Sequence, residues 1–161
     1  MKILGIDPGT GIIGFGCIQT GTRTAALLDA GVIRTTIGDE TASRLVELYD
    51  ALTELIAELK PDVAAVEKLF FAQNVTTAMA VSQARGVILL ALQQAGVQIY
   101  EYTPLQIKMA ITGYGKATKA DMQEMVRLQL GLREKPKPDD CADAIAAAMT
   151  HASSVVYNKA R

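Results

Sequence analysis

Among its 161 residues the chain has no tryptophan, one histidine, two cysteines and five prolines. Each scarcity excludes something. Cys17 and Cys141 are too few for a disulfide framework and lack metal-finger spacing. The single histidine, His151, follows Asp140 by about three helical turns, where a surface position or a role at the helix C-terminus is expected. No Ser-His-Asp or Cys-His nucleophile system is therefore available. The longest apolar run, Gly86 to Leu92, is far short of the roughly 20 residues of a membrane-spanning helix. Asp7 interrupts the N-terminal stretch where a signal peptide would stay apolar, so a reducing cytoplasm is the expected location. Few prolines and the absence of charge blocks and repeats leave little room for a disordered tail. Half of the residues are apolar, and one domain over residues 1–161 is expected.

An excess of charge of either sign is also lacking, since 16 Lys/Arg against 17 Asp/Glu leave a net value of −1. Its distribution is uneven. Residues 104–137 carry 7 Lys/Arg against 3 acids, whereas residues 1–103 carry 7 against 11. A phosphate backbone would meet the basic segment first, although charge alone favours a solvated surface loop and helix.

What is present is clear hydrophobic periodicity. Lys2–Asp7 reads as a strand closed by Pro8-Gly9-Thr10-Gly11, Gly14–Thr20 as a second strand, and a third lies within Thr24–Thr35. Short connections make these three an antiparallel meander. Leu45, Leu48, Tyr49, Leu52, Leu55, Ile56 and Leu59 follow helical spacing, which predicts a helix over Ala42–Lys60 stopped by Pro61. Asp62–Glu67 reads as a buried parallel strand. A helix from a cap at Asn74 to about Gln94, a strand over Val97–Tyr102 and a short helix after Thr103-Pro104 follow. Two further helices are expected over Thr118–Leu130 and Asp139–Ser153. The expected fold class is α/β: a mixed five-stranded sheet, its first three strands antiparallel, flanked by helices.

In such a sheet, ligands bind at the carboxyl ends of parallel strands, where Asp7 and Glu67 fall. Asp7 alone also fits a turn, and Glu67 alone a surface position beside Lys68. Asp139, Asp140 and Asp143 open the last helix. Capping explains one of them and is assigned to Asp139. Asp140 and Asp143 share a face, and the small residues around them let this helix lie close to the sheet. Four converging carboxylates cannot all stay ionised without cations, and a set without histidine or cysteine suits Mg²⁺ or Mn²⁺. Two such ions can clamp a phosphodiester.

Ile-Leu-Gly-Ile-Asp-Pro-Gly-Thr at 3–10, Ala-Val-Glu at 65–67, Phe-Phe-Ala-Gln-Asn at 70–74, Gln-Ala-Arg-Gly-Val at 83–87 and Asp-Asp-Cys-Ala-Asp-Ala-Ile-Ala at 139–146 together resemble the RuvC family. That family comprises bacterial Holliday-junction resolvases on the ribonuclease-H-like fold. The match runs in order over almost the whole chain. The resemblance implies Asp7, Glu67, Asp140 and Asp143 as ligands of two Mg²⁺ ions, with Mn²⁺ able to substitute and Asp139 an alternative to Asp140. It implies Lys108 and Lys119 as catalytic basic residues near the scissile strand, and Phe70 as the aromatic at the junction centre. One of Phe70 and Phe71 fits equally as a core residue. Lys116, in the glycine loop between the two lysines, suits a DNA backbone contact. The implied activity is symmetric hydrolysis of four-way DNA junctions in recombination and repair, leaving 5′-phosphate and 3′-hydroxyl ends. The implied partners are a second copy, paired through the helix at 75–94, and the RuvA–RuvB branch-migration complex.

Rival readings are a non-catalytic branched-DNA-binding module and a ribonuclease-H-like nuclease acting on another nucleic acid. Asp-Pro-Gly-Thr-Gly is also similar to the phosphate loop of actin-like ATPases and sugar kinases. Those folds need a second comparable domain, for which 161 residues leave no room.

Overall fold

Alternating apolar side chains along β1 (Lys2–Asp7) divide the molecule into two layers of core. Leu4 and Ile6 face one way, and Ile3 and Gly5 the other, as the two-residue period of a strand requires. The computed structural model describes residues 1–21, 24–68 and 75–159. After β1 come β2 (Ile12–Thr20), β3 (Ala25–Arg34), α1 (Thr41–Leu59), β4 (Val63–Glu67), α2 (Val75–Gln94), β5 (Gln98–Tyr102), α3 (Pro104–Thr112), α4 (Lys119–Gln129) and α5 (Asp139–Lys159). The order of elements is the expected one. Most boundaries move by one or two residues, while α5 runs six residues beyond its expected end at Ser153.

The sheet order is β3-β2-β1-β4-β5. β1, β2 and β3 pair antiparallel, and β4 joins β1, then β5 joins β4, in parallel. Parallel pairing of Ile6 with Val66 brings the next residues, Asp7 and Glu67, to the same sheet edge.

One face is covered by α1 and α2, through Leu48, Leu52, Ile56, Ala84, Ile88 and Leu92. The other is covered by α3, α4 and α5, through Ile107, Ile111, Met122, Val126, Ile145 and the alanines 146–148. Contact between α5 and the sheet is unusually close. A methyl group at Gly5 would collide with the Ala144 carbonyl, one at Gly14 with the Asp140 carbonyl, and one at Gly16 with the Ile145 side chain. The small side chains of α5 thus meet glycines on β1 and β2, and the backbones approach to a distance that no Cβ would allow.

Local signals fix the helix starts near the site. Thr103 accepts from the Gln106 amide while the Gln106 side chain accepts from the Thr103 amide, with Pro104 in the first turn of α3. Thr118 and Asp121 form the same reciprocal cap on α4.

Candidate active site

Asp7, Glu67 and Asp143 line one cleft of about 290 Å³, together with Lys108, Lys119, Pro104, Ile107 and Met122. Asp7 ends β1, Glu67 ends β4, and Asp143 projects from the first turns of α5, which the glycines of β1 and β2 admit. All three carboxylates are half-buried. Burial is the largest cause pushing Asp7 up to about 8, followed by the charges of Glu67, Asp143 and Asp140. Burial and then the charge of Asp143 push Glu67 up to about 7. Asp143 is also raised, chiefly by burial, with Lys119 opposing. The site thus holds more negative charge than its own cations neutralise.

Two lysines work against that excess. Lys119 Nζ donates to Asp143 Oδ2 at 3.3 Å, with the lysine side chain 70% exposed and the aspartate 21%. The ammonium is held above its ordinary value, first by the Asp143 charge. Lys108, on α3, contributes a lowering charge to Glu67.

Other expected site residues lie differently. Asp140 is absent from the cleft lining, although its charge acts on both Asp7 and Asp143. Asp139 is the first residue of α5 and not its cap. Its Oδ1 accepts from Gln123 Nε2 at 2.7 Å, tying α5 to α4. Lys116 is exposed and outside the cleft. Phe70 and Phe71, and the expected cap at Asn74, lie outside the described residues.

His151 corrects the expectation of a surface or helix-terminal position. It is only 2% exposed, well inside the longer α5, with Nδ1 2.7 Å from the Tyr102 hydroxyl and its ring 4.1 Å from that of Tyr100. Burial lowers its pKa, so the neutral ring is favoured. Ser154, just past the expected helix end, donates from its hydroxyl to the His151 carbonyl at 2.8 Å and lies 3.1 Å from the Tyr102 hydroxyl, contacts invisible to periodicity.

The donor set of the cleft, carboxylates without histidine or cysteine, is the one that suits a hard divalent cation. Among the described residues no three His, Cys, Asp or Glu side chains are already gathered as ligands of one ion. Asp7, Glu67 and Asp143 nevertheless line the same cleft. The residues missed by sequence reasoning are the supports: Gly5, Gly14 and Gly16, which seat α5, and Gln123, which holds its first residue. Only a count of glycines alternating on β1 and β2 could have pointed to the first three.

A mixed five-stranded sheet flanked by helices, with acids at its parallel strand ends and an acid-bearing helix laid across it, is the ribonuclease-H-like fold. The family model for "Crossover junction endodeoxyribonuclease RuvC" matches residues 3–151. The chain belongs to the RuvC family. The Chloroflexus aurantiacus protein of that name is 53% identical over 152 residues, covering 94% of this chain and 93% of the relative. Thermus thermophilus RuvC, solved in complex with a Holliday junction substrate, superposes with a TM-score of 0.92 at 36% identity, covering 98% and 96% of the two chains. The yeast mitochondrial Holliday junction resolvase Ydc2, at 15% identity and a TM-score of 0.70 over 92% of this chain and 76% of its own, shares the fold.

Proposed function

We propose that the protein is a structure-selective endonuclease that resolves four-way DNA junctions, with the whole chain acting as one nuclease domain. The carrying observation is the single cleft shared by Asp7, Glu67, Asp143, Lys108 and Lys119. Membership of the RuvC family and the likeness to a resolvase solved with its junction substrate support the choice of substrate.

Asp7, Glu67 and Asp143 would hold divalent ions, Mg²⁺ by preference with Mn²⁺ as substitute, and Asp140 is the fourth ligand. Asp140 is preferred to Asp139 because its charge is felt at Asp7, whereas Asp139 is occupied by Gln123. Two such ions, when bound, supply activation of the attacking water and stabilisation of the departing oxygen. The chain's own groups do the rest. Lys119 holds the Asp143 carboxylate in place and leaves much of its length exposed to a strand in the cleft. Lys108, which lines the same cleft, would offer a second cation to the scissile phosphate. The walls from Pro104, Ile107 and Met122 exclude water from one side. Hydrolysis leaves 5′-phosphate and 3′-hydroxyl ends. Phe70 remains the proposed aromatic at the junction centre, and Lys116 a backbone contact.

A junction of two-fold symmetry calls for two copies, and α2 offers the surface. Met79, Gln83, Gly86 and Leu90 recur at helical spacing and are all exposed, Met79 and Leu90 at 63% and 51%. Nothing lies within 4 Å of a methyl built at Gly86, so a partner helix could come close. The homodimer is proposed through this face. Work alongside RuvA–RuvB, and a cytoplasmic location, belong to the same reading. The latter agrees with two free, buried cysteines.

The test is incubation of purified protein with a synthetic four-way junction and Mg²⁺. Paired symmetric nicks are expected, with at least a hundredfold loss in Asp7→Asn. Absence of nicking by the wild type, or full activity in Asp7→Asn, refutes the proposal.

A further inference from the structure

A second concavity, of about 390 Å³, adjoins the cleft and shares Pro104 and Lys108 with it as walls. Among the described residues it is also lined by Thr103, Leu105 and Gly115. Leu105 is 60% exposed, and two further large apolar side chains close to the lining residue Gly115 are also left in solvent: Met109, whose sulfur would lie 3.6 Å from a methyl at Gly115, at 49%, and Tyr114, its chain neighbour, at 60%. Apolar side chains scattered singly on a surface need no explanation, but three gathered about Gly115 do.

The loop that carries Tyr114 is held firmly. Gly113 closes α3 in a left-handed conformation (φ 73°), donating to the Met109 carbonyl at 3.0 Å. The Thr112 hydroxyl lies 2.8 Å from the Lys108 carbonyl and 3.0 Å from that of Tyr114, and accepts from the Tyr114 amide at 3.1 Å. Ala117, which is buried, donates to the Tyr114 carbonyl at 3.1 Å. Gly115 lies close over two of these side chains: a methyl there would come within 2.7 Å of Leu105 Cδ1 and 3.6 Å of Met109 Sδ. Leu105 and Met109 thus border the loop at Gly115 while staying partly exposed, and the hydrogen bonds of the loop present the aromatic ring at little further entropic cost.

The surroundings are cationic. Lys108 lies between the two concavities, Lys116 follows Tyr114 by two residues and is exposed, and Lys119 faces the cleft. An aromatic ring interleaved with lysines and continuous with a phosphodiester-cleaving cleft matches the chemistry of a nucleic acid strand: lysines for phosphates, ring for a base. We propose that Tyr114, supported by Leu105 and Met109, is a stacking platform for a nucleobase of the strand flanking the scissile phosphate. The inference rests on the endonuclease reading above and adds to it a base-contacting surface.

The experiment measures junction binding in an Asp7→Asn background, so that no cutting intervenes, with 2-aminopurine substituted in turn at nucleotides flanking the scissile phosphate. Adding Tyr114→Ala is expected to weaken binding about tenfold and to abolish fluorescence quenching at one flanking position. The slope of log affinity against log salt stays unchanged, since no phosphate contact is removed. Adding Tyr114→Phe instead retains affinity and quenching, and melting curves of both variants match the parent. Lys116→Ala lowers the salt slope by about one and keeps the quenching. Undiminished binding and quenching with Tyr114→Ala overturns the platform while wild-type nicking preserves the endonuclease reading; the patch then belongs to a protein partner. A wild type that neither binds nor nicks the junction overturns both.

Discussion

Asp7 has an ordinary carboxyl value of 3.8 in water and is pushed to about 8 in the fold, because it is buried beside three other acids. Glu67 moves from 4.5 to about 7. Between those limits the folded, metal-free protein binds more protons than the unfolded chain, so these groups' contribution to stability is present at low pH and is lost as pH rises through about 7 to 8. His151 acts oppositely: its depressed value removes stability as pH falls below its ordinary 6.5. A comparison of Asp7→Asn with wild type isolates the carboxylate. Without metal, the variant is expected to melt at the same temperature as wild type near pH 4 and a few degrees higher at pH 8. The gain is on the order of 1–3 kcal/mol. A melting-temperature difference that does not grow with pH would contradict the burial of that charge. The same excess predicts proton release on Mg²⁺ binding, and calorimetry in buffers of different ionisation enthalpy should detect it. Lys119→Ala removes the Asp143 partner, and a loss of activity much larger than the change in junction affinity is expected.

At the scale of the element, α5 decides whether the acids meet. Its alanines suggest close packing from the sequence, but the partners that accept it are Gly5, Gly14 and Gly16, which propensity scores as weak points in strands. Gly5→Ala meets the Ala144 backbone and not a flexible side chain. It should cost roughly 1–3 kcal/mol by overpacking and weaken metal-dependent activity further by lifting Asp143 from Asp7. Normal melting and normal activity together would show that α5 has slack to move. Helix starts were legible because caps are local: Thr103 with Gln106 and Pro104, Thr118 with Asp121. The burial of His151 was not, because its partners Tyr100 and Tyr102 lie about fifty residues away on β5. Nor was the role of Asp139, whose partner Gln123 is on another helix.

For the whole molecule, the exposed Met79–Gly86–Leu90 stripe of α2 is a surface that a lone chain gains nothing by keeping apolar. Leu90→Glu is expected to convert a dimer to a monomer in sedimentation or light scattering, with little change in melting of the isolated fold. Junction nicking by the monomer should lose its two-strand symmetry. A wild-type protein that is already monomeric at micromolar concentration would remove this part of the proposal.

By itself the sequence determined the order and type of every element, because hydrophobic period, turn residues and caps act over a few positions. It also determined the chemical stock of the site, oxygen donors and lysines without histidine, since residue types need no fold to be counted. Only the tertiary structure decided which acids share a cleft. Asp7, Glu67 and Asp143 come together through the parallel register of β1 with β4 and the close seat of α5 on glycines, while Asp140 acts on them by its charge from outside the lining and Asp139 is bonded to Gln123. Those outcomes depend on strand register and backbone approach between segments far apart in the chain, which no local spacing can encode.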